Sequence, residues 1–588
     1  MFLSSKTATN YRTLLDDVET FLTNRALESV VIAAGGTGYT VGDVLTVAGG
    51  TLTGLGYAAQ LTVTSVAAGV IDGVRISQSG SYTADPTSPN AATGGTGSSA
   101  TFTLTMAVVG WTRNMRTQEA VSAAISAGGT GYALTDVLTL VGGVEVLISP
   151  QFAVSAVGVS AAAIAGGGTG YTVSDVLTVV GGTGTAATLT VTSVAGGVID
   201  GISVTTPGSY TVVPGNPVSV TGGTGTLATF NLTVDIVTAV TLVTAGKLNE
   251  VPANPAATSG AGTGCTLTVT YQDYQAASGN FDLLLQGVGS GADDLFIGMR
   301  VIGTGPVRSW ELHGMTGYDA AQTFENQPGI SPGDALSAEG AYIPLDNSAM
   351  TYWVFANGRR IILIAKVGAA TYTNLYMGWL NPFGTSTEYP YPMVIAGCNS
   401  LRTSVFGSGA IGYSGMLDPI SALNHVTGPC YYRDVQGAWN TVRNSREITG
   451  STREAKDDFV IWPAGTPNKT FVAAEDNATS GLNLTTDLIP RVGNPGTATK
   501  VMKQTPETPD DISLLWPTLF IRSGDGGSIP RDVHGELDNV YWTSADIDGA
   551  AATAVSEDRL VDPNDDEYIF FQNCNRTELF SYFCVKEE

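Results

Sequence analysis

The first 28 residues have the apolar spacing of an amphipathic helix. Their apolar side chains recur every three or four residues, and most charged side chains lie between them. Thr9 or Asn10 precedes the stripe, and either side-chain oxygen can accept a first-turn amide hydrogen. The sequence predicts one N-terminal helix whose apolar face packs on the chain's own core or on a partner. The apolar positions are Tyr11, Leu14, Leu15, Val18, Phe21 and Leu22.

From about residue 30 the pattern changes to short runs of Val, Thr, Leu and Ile separated by glycine-rich connectors. Examples are Val176–Val180, Ala187–Val194 and Ile202–Thr206. Residues that favour helices are scarce in this region, whereas β-branched residues favour strands. The pattern therefore predicts β-strands joined by tight turns.

Two patterns repeat within this region. Gly-Gly-Thr-Gly-Tyr occurs at 35–39, 128–132 and 167–171, and a longer pattern beginning Gly-Val-Ile-Asp-Gly occurs at 69–97 and 197–225. Aligning them gives repeats that begin near residues 30, 69, 121, 159, 197 and 235, spaced by 38 or 39 residues within each block. Such a period is typical of small β modules that share apolar faces with their neighbours. An aspartate follows each Gly-Gly-Thr-Gly-Tyr copy, namely Asp43, Asp136 and Asp175.

The fold class predicted from these patterns is mostly β, with β-sandwich-like repeat modules inserted into a larger β-rich domain that carries one N-terminal amphipathic helix. The segment around Trp111 has the more basic composition of the C-terminal part and not that of the repeats on either side. We therefore expect it to belong to the same domain as the two chain ends. The predicted parts are 1–29 (helix of the base domain), 30–106 (first repeat block), 107–120 (connecting strand), 121–272 (second repeat block) and 273–588 (base domain).

The C-terminal part contains one strong hairpin signal, two apolar runs on either side of Asn357-Gly358. Asn-Gly favours a type I′ turn, which requires a positive φ at both central residues. Residues 400–515 are polar and rich in Asn, Thr and Gly, and we expect long loops there. Further predicted strands are Leu375–Leu380, Asp538–Thr543, Tyr568–Gln572 and Leu579–Val585.

Composition narrows the classes of partner. The 588 residues carry a formal net charge of −25, which argues against nucleic acid, since binding it requires cations at the phosphates. The N-terminus lacks the apolar stretch of a secretory signal, and no apolar run reaches the ~18 residues of a membrane span. Five cysteines without a CxxC pair fit a reducing cytoplasm. Residues 121–272 contain only seven charged side chains, so we expect much of their surface to pack against other repeats or subunits.

No pattern identifies a catalytic, cofactor-binding or metal-binding residue, and we predict none of the three. The histidines His313, His425 and His534 have no partner at ligand spacing, so no transition metal is expected to be required for folding. The repeat aspartates do not match the spacing of calcium-binding glycine-rich repeats, and a turn role is favoured. The remaining candidates are carboxylate pairs for glycoside cleavage, at Asp293, Asp294, Glu311, Asp319, Asp532, Glu536 and Asp538. A sugar-stacking face could form at Trp353, Trp379, Tyr389 and Tyr391, but strands of this type normally bury such aromatic residues, and core positions are favoured.

Several segments resemble a family of tailed-bacteriophage virion proteins encoded among tail genes. The matching segments cover the two ends of the chain, and Trp111 corresponds to the family's tryptophan. They are Thr7-Ala-Thr-Asn-Tyr-Arg-Thr-Leu-Leu-Asp-Asp, Gly291-Ala-Asp-Asp-Leu-Phe-Ile-Gly, Tyr352-Trp-Val-Phe-Ala-Asn-Gly-Arg-Arg, Tyr376-Met-Gly-Trp-Leu-Asn-Pro-Phe-Gly-Thr-Ser-Thr-Glu-Tyr-Pro-Tyr-Pro, His534-Gly-Glu-Leu-Asp-Asn-Val-Tyr, Phe571-Gln-Asn-Cys-Asn-Arg-Thr and Tyr582-Phe. The inserted repeats resemble modules of phage fibre and adhesin proteins.

The resemblance implies a non-enzymatic structural component of a virion, made in the host cytoplasm, that acts by symmetric assembly in a tail, baseplate or collar. Its expected partners are other phage structural proteins and further copies of itself in a trimer or a higher ring. The alternatives are an adhesin or tail fibre that binds a host-surface glycan and, with less support, a polysaccharide depolymerase.

Overall fold

The computed structural model divides into two compact units, formed by residues 1–114, 278–319 and 324–588 and by residues 115–277 and 320–323. The residues that the structure describes are 1–145, 148–274, 281–289, 292–302, 309–332, 341–367, 372–397, 430–433, 436–441, 459–462, 499–503, 512–522, 532–543, 556–561, 566–572 and 582–587. Most of the predicted loop region 400–515 lies outside these residues. Within it, the described residues form strands at Cys430–Arg433, Trp439–Thr441, Phe459–Trp462 and Thr499–Lys503, so the expectation of loops is wrong there.

The protein is mostly β, as predicted, and its strands pair in antiparallel sheets. The described residues contain one α-helix, α1 (Tyr11–Leu22), and one 3-10 turn (Phe324–Asn326). The strands that precede residue 115 are β1 (Phe2–Ala8), β2 (Arg25–Thr37), β3 (Val44–Val47), β4 (Thr51–Leu52), β5 (Gln60–Ala67), β6 (Val70–Gln78), β7 (Tyr82–Ala84), β8 (Asn90–Gly94), β9 (Ser98–Val108) and β10 (Thr112–Arg116).

Fourteen strands follow in the second unit. They are β11 (Gln118–Thr130), β12 (Val137–Val141), β13 (Val144–Glu145), β14 (Gln151–Thr169), β15 (Val176–Val179), β16 (Thr183–Thr185), β17 (Thr188–Ala195), β18 (Val198–Thr206), β19 (Ser209–Val212), β20 (Val218–Thr221), β21 (Thr226–Thr244), β22 (Leu248–Glu250), β23 (Ala256–Ser259) and β24 (Thr263–Asp273).

The C-terminal part returns to the first unit. Its strands are β25 (Phe281–Gln286), β26 (Phe296–Ile302), β27 (Ser309–Met315), β28 (Ala341–Pro344), β29 (Met350–Asn357), β30 (Arg360–Lys366), β31 (Tyr372–Pro382), β32 (Met393–Ala396), β33 (Cys430–Arg433), β34 (Trp439–Thr441), β35 (Phe459–Trp462), β36 (Thr499–Lys503), β37 (Ile512–Arg522), β38 (Asp532–Thr543), β39 (Arg559–Val561), β40 (Glu567–Gln572) and β41 (Tyr582–Lys586).

Helix α1 begins at an Asn10 cap, one of the two caps predicted. The Asn10 Oδ1 atom accepts hydrogen bonds from the amides of Arg12 (2.9 Å) and Thr13 (3.1 Å). All six apolar positions of the stripe are at most 3% exposed, so this face packs on the chain's own core. Strand β1, which precedes the helix and pairs with β29, was not predicted, because Phe2 and Leu3 are adjacent and the residues from Ser4 to Thr7 are polar, so the segment has no alternating apolar pattern.

The base sheet is the 14-stranded sheet that contains β1 and most of the strands after residue 350. Its main path runs β1-β29-β30-β31-β38-β41-β40-β39-β36-β37-β35, and β32, β33 and β34 branch from β31. Trp353, Tyr376 and Phe571 belong to its buried core. This sheet brings together strands from both ends of the chain, because β1 pairs with β29 more than 340 residues away.

The hairpin at Asn357-Gly358 forms, but its turn differs from the prediction. Asn357 pairs with Arg360, so Gly358 and Arg359 are the central residues, and the turn has no residue at positive φ. The type I′ prediction is therefore wrong. The Asn357 Oδ1 atom accepts hydrogen bonds from the amides of Arg359 (2.9 Å) and Arg360 (3.0 Å), and this local side-chain bonding stabilises a different turn.

The first module consists of β2 to β9, which form one eight-stranded sheet folded into two layers. Leu27, Phe102 and Leu104 from one layer and Leu45 and Leu61 from the other share a buried core. Two consecutive repeats contribute to this core. A single 38-residue repeat therefore does not close a core alone, and two repeats make one module.

Close packing requires glycine at several recurring positions of the repeats. A Cβ atom on Gly97 would lie 2.5 Å from the ring of buried Tyr39, and Gly225 has the same relation to Tyr171. Gly36 also needs its glycine, because its φ is +61° and a Cβ atom would lie 2.3 Å from the Ser98 carbonyl oxygen. The glycine motifs of the two repeats in a module therefore pack against each other.

In the second unit, one module is nested inside another. The inner module is residues 159–234, and the outer module is residues 118–158 together with 235–273. Strands β14 and β21 run through both, pairing at Val154 with Val240 in the outer module and at Ile164 with Phe230 in the inner module. The outer module thus pairs its first repeat with a second repeat that follows 76 residues of inserted chain. The order of the repeats along the sequence does not show which two repeats form one module.

The insertion occupies the place of a hairpin turn. In the first module Ala67 pairs with Val70 across a tight turn, and in the inner module Ala195 pairs with Val198 in the same way. At the corresponding place in the outer module the chain enters the inner module instead. The ends of the inner module lie side by side, since Val159 pairs with Val234, so the insertion leaves the outer strands in register.

We predict that residues 159–234 fold as an isolated fragment, because they contain a complete two-layered core of their own. The fragment should give a β-type circular dichroism spectrum and a cooperative thermal transition. Residues 159–196, one repeat, serve as the matched control and should remain unfolded. A folded half-module, or an unfolded whole one, would contradict the pairing of repeats described above.

A second prediction concerns Asp17 on α1. Burial raises the pKa of Asp17 from 3.8 to about 6, although the Tyr352 hydroxyl donates a hydrogen bond to it (3.1 Å). Because the folded pKa is the higher one, this group stabilises the fold below about pH 4, and that contribution is lost as the pH rises through 6. Asp17→Asn should raise the free energy of unfolding by about 1 kcal/mol at pH 8, after allowance for its partial exposure.

Thermal unfolding of the two proteins across pH 4 to 8 measures this difference. It should be near zero at pH 4 and grow through pH 6. Glu28→Gln removes the same charge from an exposed position and should show no such pH dependence. A constant difference between Asp17→Asn and the unsubstituted protein at all pH values would mean that ionisation of Asp17 is not the cause.

Candidate functional site

A polar cluster of the base sheet centres on Asp538 of β38, whose side chain is partly buried. Its Oδ2 atom accepts hydrogen bonds from Arg360 Nε (2.9 Å) and Asn357 Nδ2 (3.2 Å), and its Oδ1 atom accepts one from Asn381 Nδ2 (3.3 Å). The Asp538 amide donates to the hydroxyl of Tyr376 (3.3 Å). The hairpin at 357, the next strand β31 and the distant strand β38 therefore meet at one carboxylate.

Trp111 extends this cluster to the segment between the repeat blocks. Its indole Nε1 donates a hydrogen bond to the Asn357 carbonyl oxygen (2.8 Å). The backbones also meet closely, since a Cβ atom on Gly110 would lie 2.7 Å from the Cα atom of Gly358, and Gly110 has a φ of +105°. The hairpin tip is thus held on one side by Trp111 and on the other by Asp538.

Burial and neighbouring charges shift the pKa values of two carboxyl groups in this cluster. Burial opposes ionisation of Asp538, but the charge of Arg360 and the hydrogen bonds from Asn357, Arg360 and Asn381 outweigh it and lower the Asp538 pKa. Burial, and then the nearby Asp538, raise the pKa of Glu536. Both oxygens of the Asp538 carboxylate accept hydrogen bonds from side chains of the base sheet, so this carboxylate links the strands that it contacts.

A second buried cluster places serine, histidine and glutamate in a row. His313 Nδ1 lies 3.3 Å from Ser331 Oγ and 3.2 Å from the Ser331 carbonyl oxygen, and His313 Nε2 lies 3.4 Å from Glu311 Oε1. These residue types serve nucleophilic catalysis when the hydroxyl faces a substrate. Here all three residues are at most 2% exposed, so the row links β27 to residue 331 inside the fold.

The repeat aspartates organise turns. Asp43 Oδ2 accepts hydrogen bonds from the amides of Thr40 (2.9 Å) and Thr96 (3.0 Å) and from Thr96 Oγ1 (2.7 Å). These bonds lower the pKa of Asp43 to about 2, and the equivalent bonds do the same for Asp175. Asp136 accepts the equivalent bond from the amide of Ala133 (2.7 Å), and Ala261, which stands in the place of Thr96, has no hydroxyl to donate.

The aromatic candidates divide between core and surface. Trp353, Trp379 and Tyr389 are at most 2% exposed, which leaves them no face for a sugar ring. Tyr391 is partly exposed, and its ring centre lies 4.9 Å from the guanidinium of Arg433.

The other carboxylates predicted as candidates are scattered. Asp293 forms an ion pair with Arg433, Asp294 is exposed, and the Asp319 amide and carbonyl bond to the side chain of Gln327. Of Asp532 and His534 the structure describes the backbone alone, and His425 lies outside the described residues. Over the described part of the chain, no group of three or more His, Cys, Asp or Glu side chains could hold a metal ion.

The comparisons with known proteins add no relative. No family model matches the chain, and no curated protein matches it either. Within the described ranges, no helix is long and apolar enough to cross a membrane. The geometry of the clusters is therefore the evidence on which a functional proposal depends.

We predict that Asp538→Asn destabilises the base sheet by about 2 kcal/mol, because Arg360, at 2% exposure, loses its charged partner. Calorimetric unfolding of the full chain measures this loss. Asp85→Asn is the matched control, since the Arg25–Asp85 pair is more than one-third exposed on both sides and should contribute less than about 0.5 kcal/mol. Equal effects of the two substitutions would show that Asp538 does not hold the sheet together.

Proposed function

We propose that this protein is a structural subunit of a tailed-bacteriophage virion, in the tail, baseplate or collar, and that it acts by symmetric assembly without catalysis. Its partners in this proposal are further copies of the chain, as a trimer or a higher ring, and other structural proteins of the particle. The protein is made in the host cytoplasm and becomes part of the virion.

The observation that carries the proposal is the convergence of the phage-like segments on one cluster. Asn357 and Arg360, Asn381, and Asp538 come from three of those segments, and all bond within the same group. Trp111, the residue that corresponds to the family's tryptophan, bonds to the same hairpin. Residues that share a buried structural cluster are constrained together, which gives the resemblance a physical basis in the base sheet.

The surface of the modules supports an assembled state. Of the 19 large hydrophobic side chains that are exposed among the described residues, all but Val288 and Phe383 lie in the modules. Several recur at equivalent positions, such as Val44, Val137 and Val176. In the proposed assembly, packing of other chains over these side chains removes their apolar surface from water. The module tyrosines of the Gly-Gly-Thr-Gly-Tyr motifs are buried, which gives a glycan no aromatic platform there.

Imaging of purified particles tests the proposal. An affinity tag placed in the exposed turn at Ala195–Val198 is detected by negative-stain microscopy with a gold-labelled antibody. We expect label at a fixed place on the particle, repeated with the symmetry of the ring, and a matching oligomer in native mass spectrometry of the isolated protein. The same tag on an abundant cytoplasmic protein of the host is the negative control.

Three other outcomes would contradict the proposal or favour one of its alternatives. Label confined to the soluble fraction of the lysate would contradict a virion role. Label on fibres, combined with loss of host adsorption when the tag is bound by antibody, would favour the adhesin alternative. Release of reducing sugar from host polysaccharide by the purified protein would favour a depolymerase.

A further inference from the structure

The first module makes specific contacts with the base sheet inside the first unit. The Ser79 amide donates a hydrogen bond to the Phe2 carbonyl oxygen (3.0 Å), and the Phe2 amide donates one to Ser79 Oγ (3.0 Å). Ile76 packs against the core of the base sheet. Lys6 of β1 lies 4.5 Å from the ring centre of Tyr57 in the module. We call this contact region the seat of the first module.

A group of four charges, built around two buried carboxylates, lies at this seat. Arg75 of β6 pairs with Glu567 (2.5 Å) and with Glu587 (3.4 Å), and Arg559 pairs with the same two glutamates. The side chains of Glu567 and Glu587 are 3% and 1% exposed. Two carboxylates buried together need two cations, and one of those cations comes from the module. The other three charges come from the last 30 residues of the chain.

The homologous modules show which residues belong to the seat and which to the module fold. Arg75 aligns with Ser203 of the inner module and Thr241 of the outer one, through the pairings of β5 with β6, β17 with β18 and β14 with β21. Neither residue is charged, yet all three modules close their cores. Arg75 is therefore not required by the module fold.

The same comparison applies to other seat positions. Tyr57 corresponds to Thr185, and Ser79 corresponds to Pro207, because the equivalent backbone bonds connect them in each module. For example, the carbonyl oxygens of Ser79 and Pro207 accept the amides of Leu27 and Val159, respectively. The seat residues of the first module thus differ from those of the inner module where the backbone is the same.

We propose that strands β39, β40 and β41, together with Glu587, form a latch that fixes the first module on the base sheet, with Arg75 as the positioning residue on the module side. The Arg559 guanidinium compensates one of the two negative charges of Glu567 and Glu587. Arg75 compensates the other only when the first module contacts the base sheet at the seat. The contacts of the seat therefore form fully only when the last strand of the chain, β41, is paired in the base sheet. This inference does not depend on the proposed virion role.

Hydrogen exchange of the full chain, followed by mass spectrometry, tests the latch. Arg75→Ser introduces the residue that the inner module carries at this position, so the module fold should tolerate it. We expect at least tenfold faster exchange in peptides that contain Phe2 and Ser79, and exchange within twofold of the unsubstituted protein in the paired strands β2 and β9. Glu587→Gln should give the same pattern from the other side of the contact.

Arg25→Ser is the matched control, because it removes an arginine of the same module whose partner Asp85 is exposed. It should leave exchange at Phe2 and Ser79 unchanged. The proposal fails if Arg75→Ser behaves like Arg25→Ser, or if β2 and β9 exchange faster to the same extent as the seat. The second result would mean that Arg75 supports the fold of the module and does not position it.

Discussion

The architecture of the repeats depends on one constraint: a two-layered core closes only when two 38-residue repeats contribute strands to it. Each repeat supplies one part of each layer, and neither part buries its apolar face alone. The two repeats of a module need not be adjacent in sequence, provided that their strands pair. In the outer module they are separated by a complete inner module, and its core still contains Leu138, Phe152, Val237 and Leu267.

The same constraint explains how modules can be inserted into other structures. The first and last strands of each module are antiparallel neighbours, so its two ends lie side by side: Arg25 pairs with Val108, and Gln118 pairs with Asp273. An element with adjacent ends can replace a hairpin turn at little cost in loop closure. Insertion of the inner module therefore leaves the paired strands of the outer module in register.

Buried charge has a different role from apolar packing in this protein. The module cores are almost entirely apolar, whereas the places where distant segments meet contain matched charges: Asp538 with Arg360, and Arg75 and Arg559 with Glu567 and Glu587. An unmatched charge is expensive to bury, so these groups are satisfied in one arrangement of the segments. They specify which surfaces meet, and apolar burial supplies most of the stability.

The sequence by itself determined the β class, the amphipathic helix with its buried stripe, and the 38-residue repeat, because each depends on local periodicity or on identity between segments. It also favoured turn roles for Asp43 and Asp175 and core positions for Trp353 and Trp379. Only the tertiary structure decided that the repeat at 121 pairs with the one at 235 and that Arg360 and Asp538 meet. These contacts join residues more than 100 positions apart, and no local pattern specifies which distant partner a strand or a charge will find.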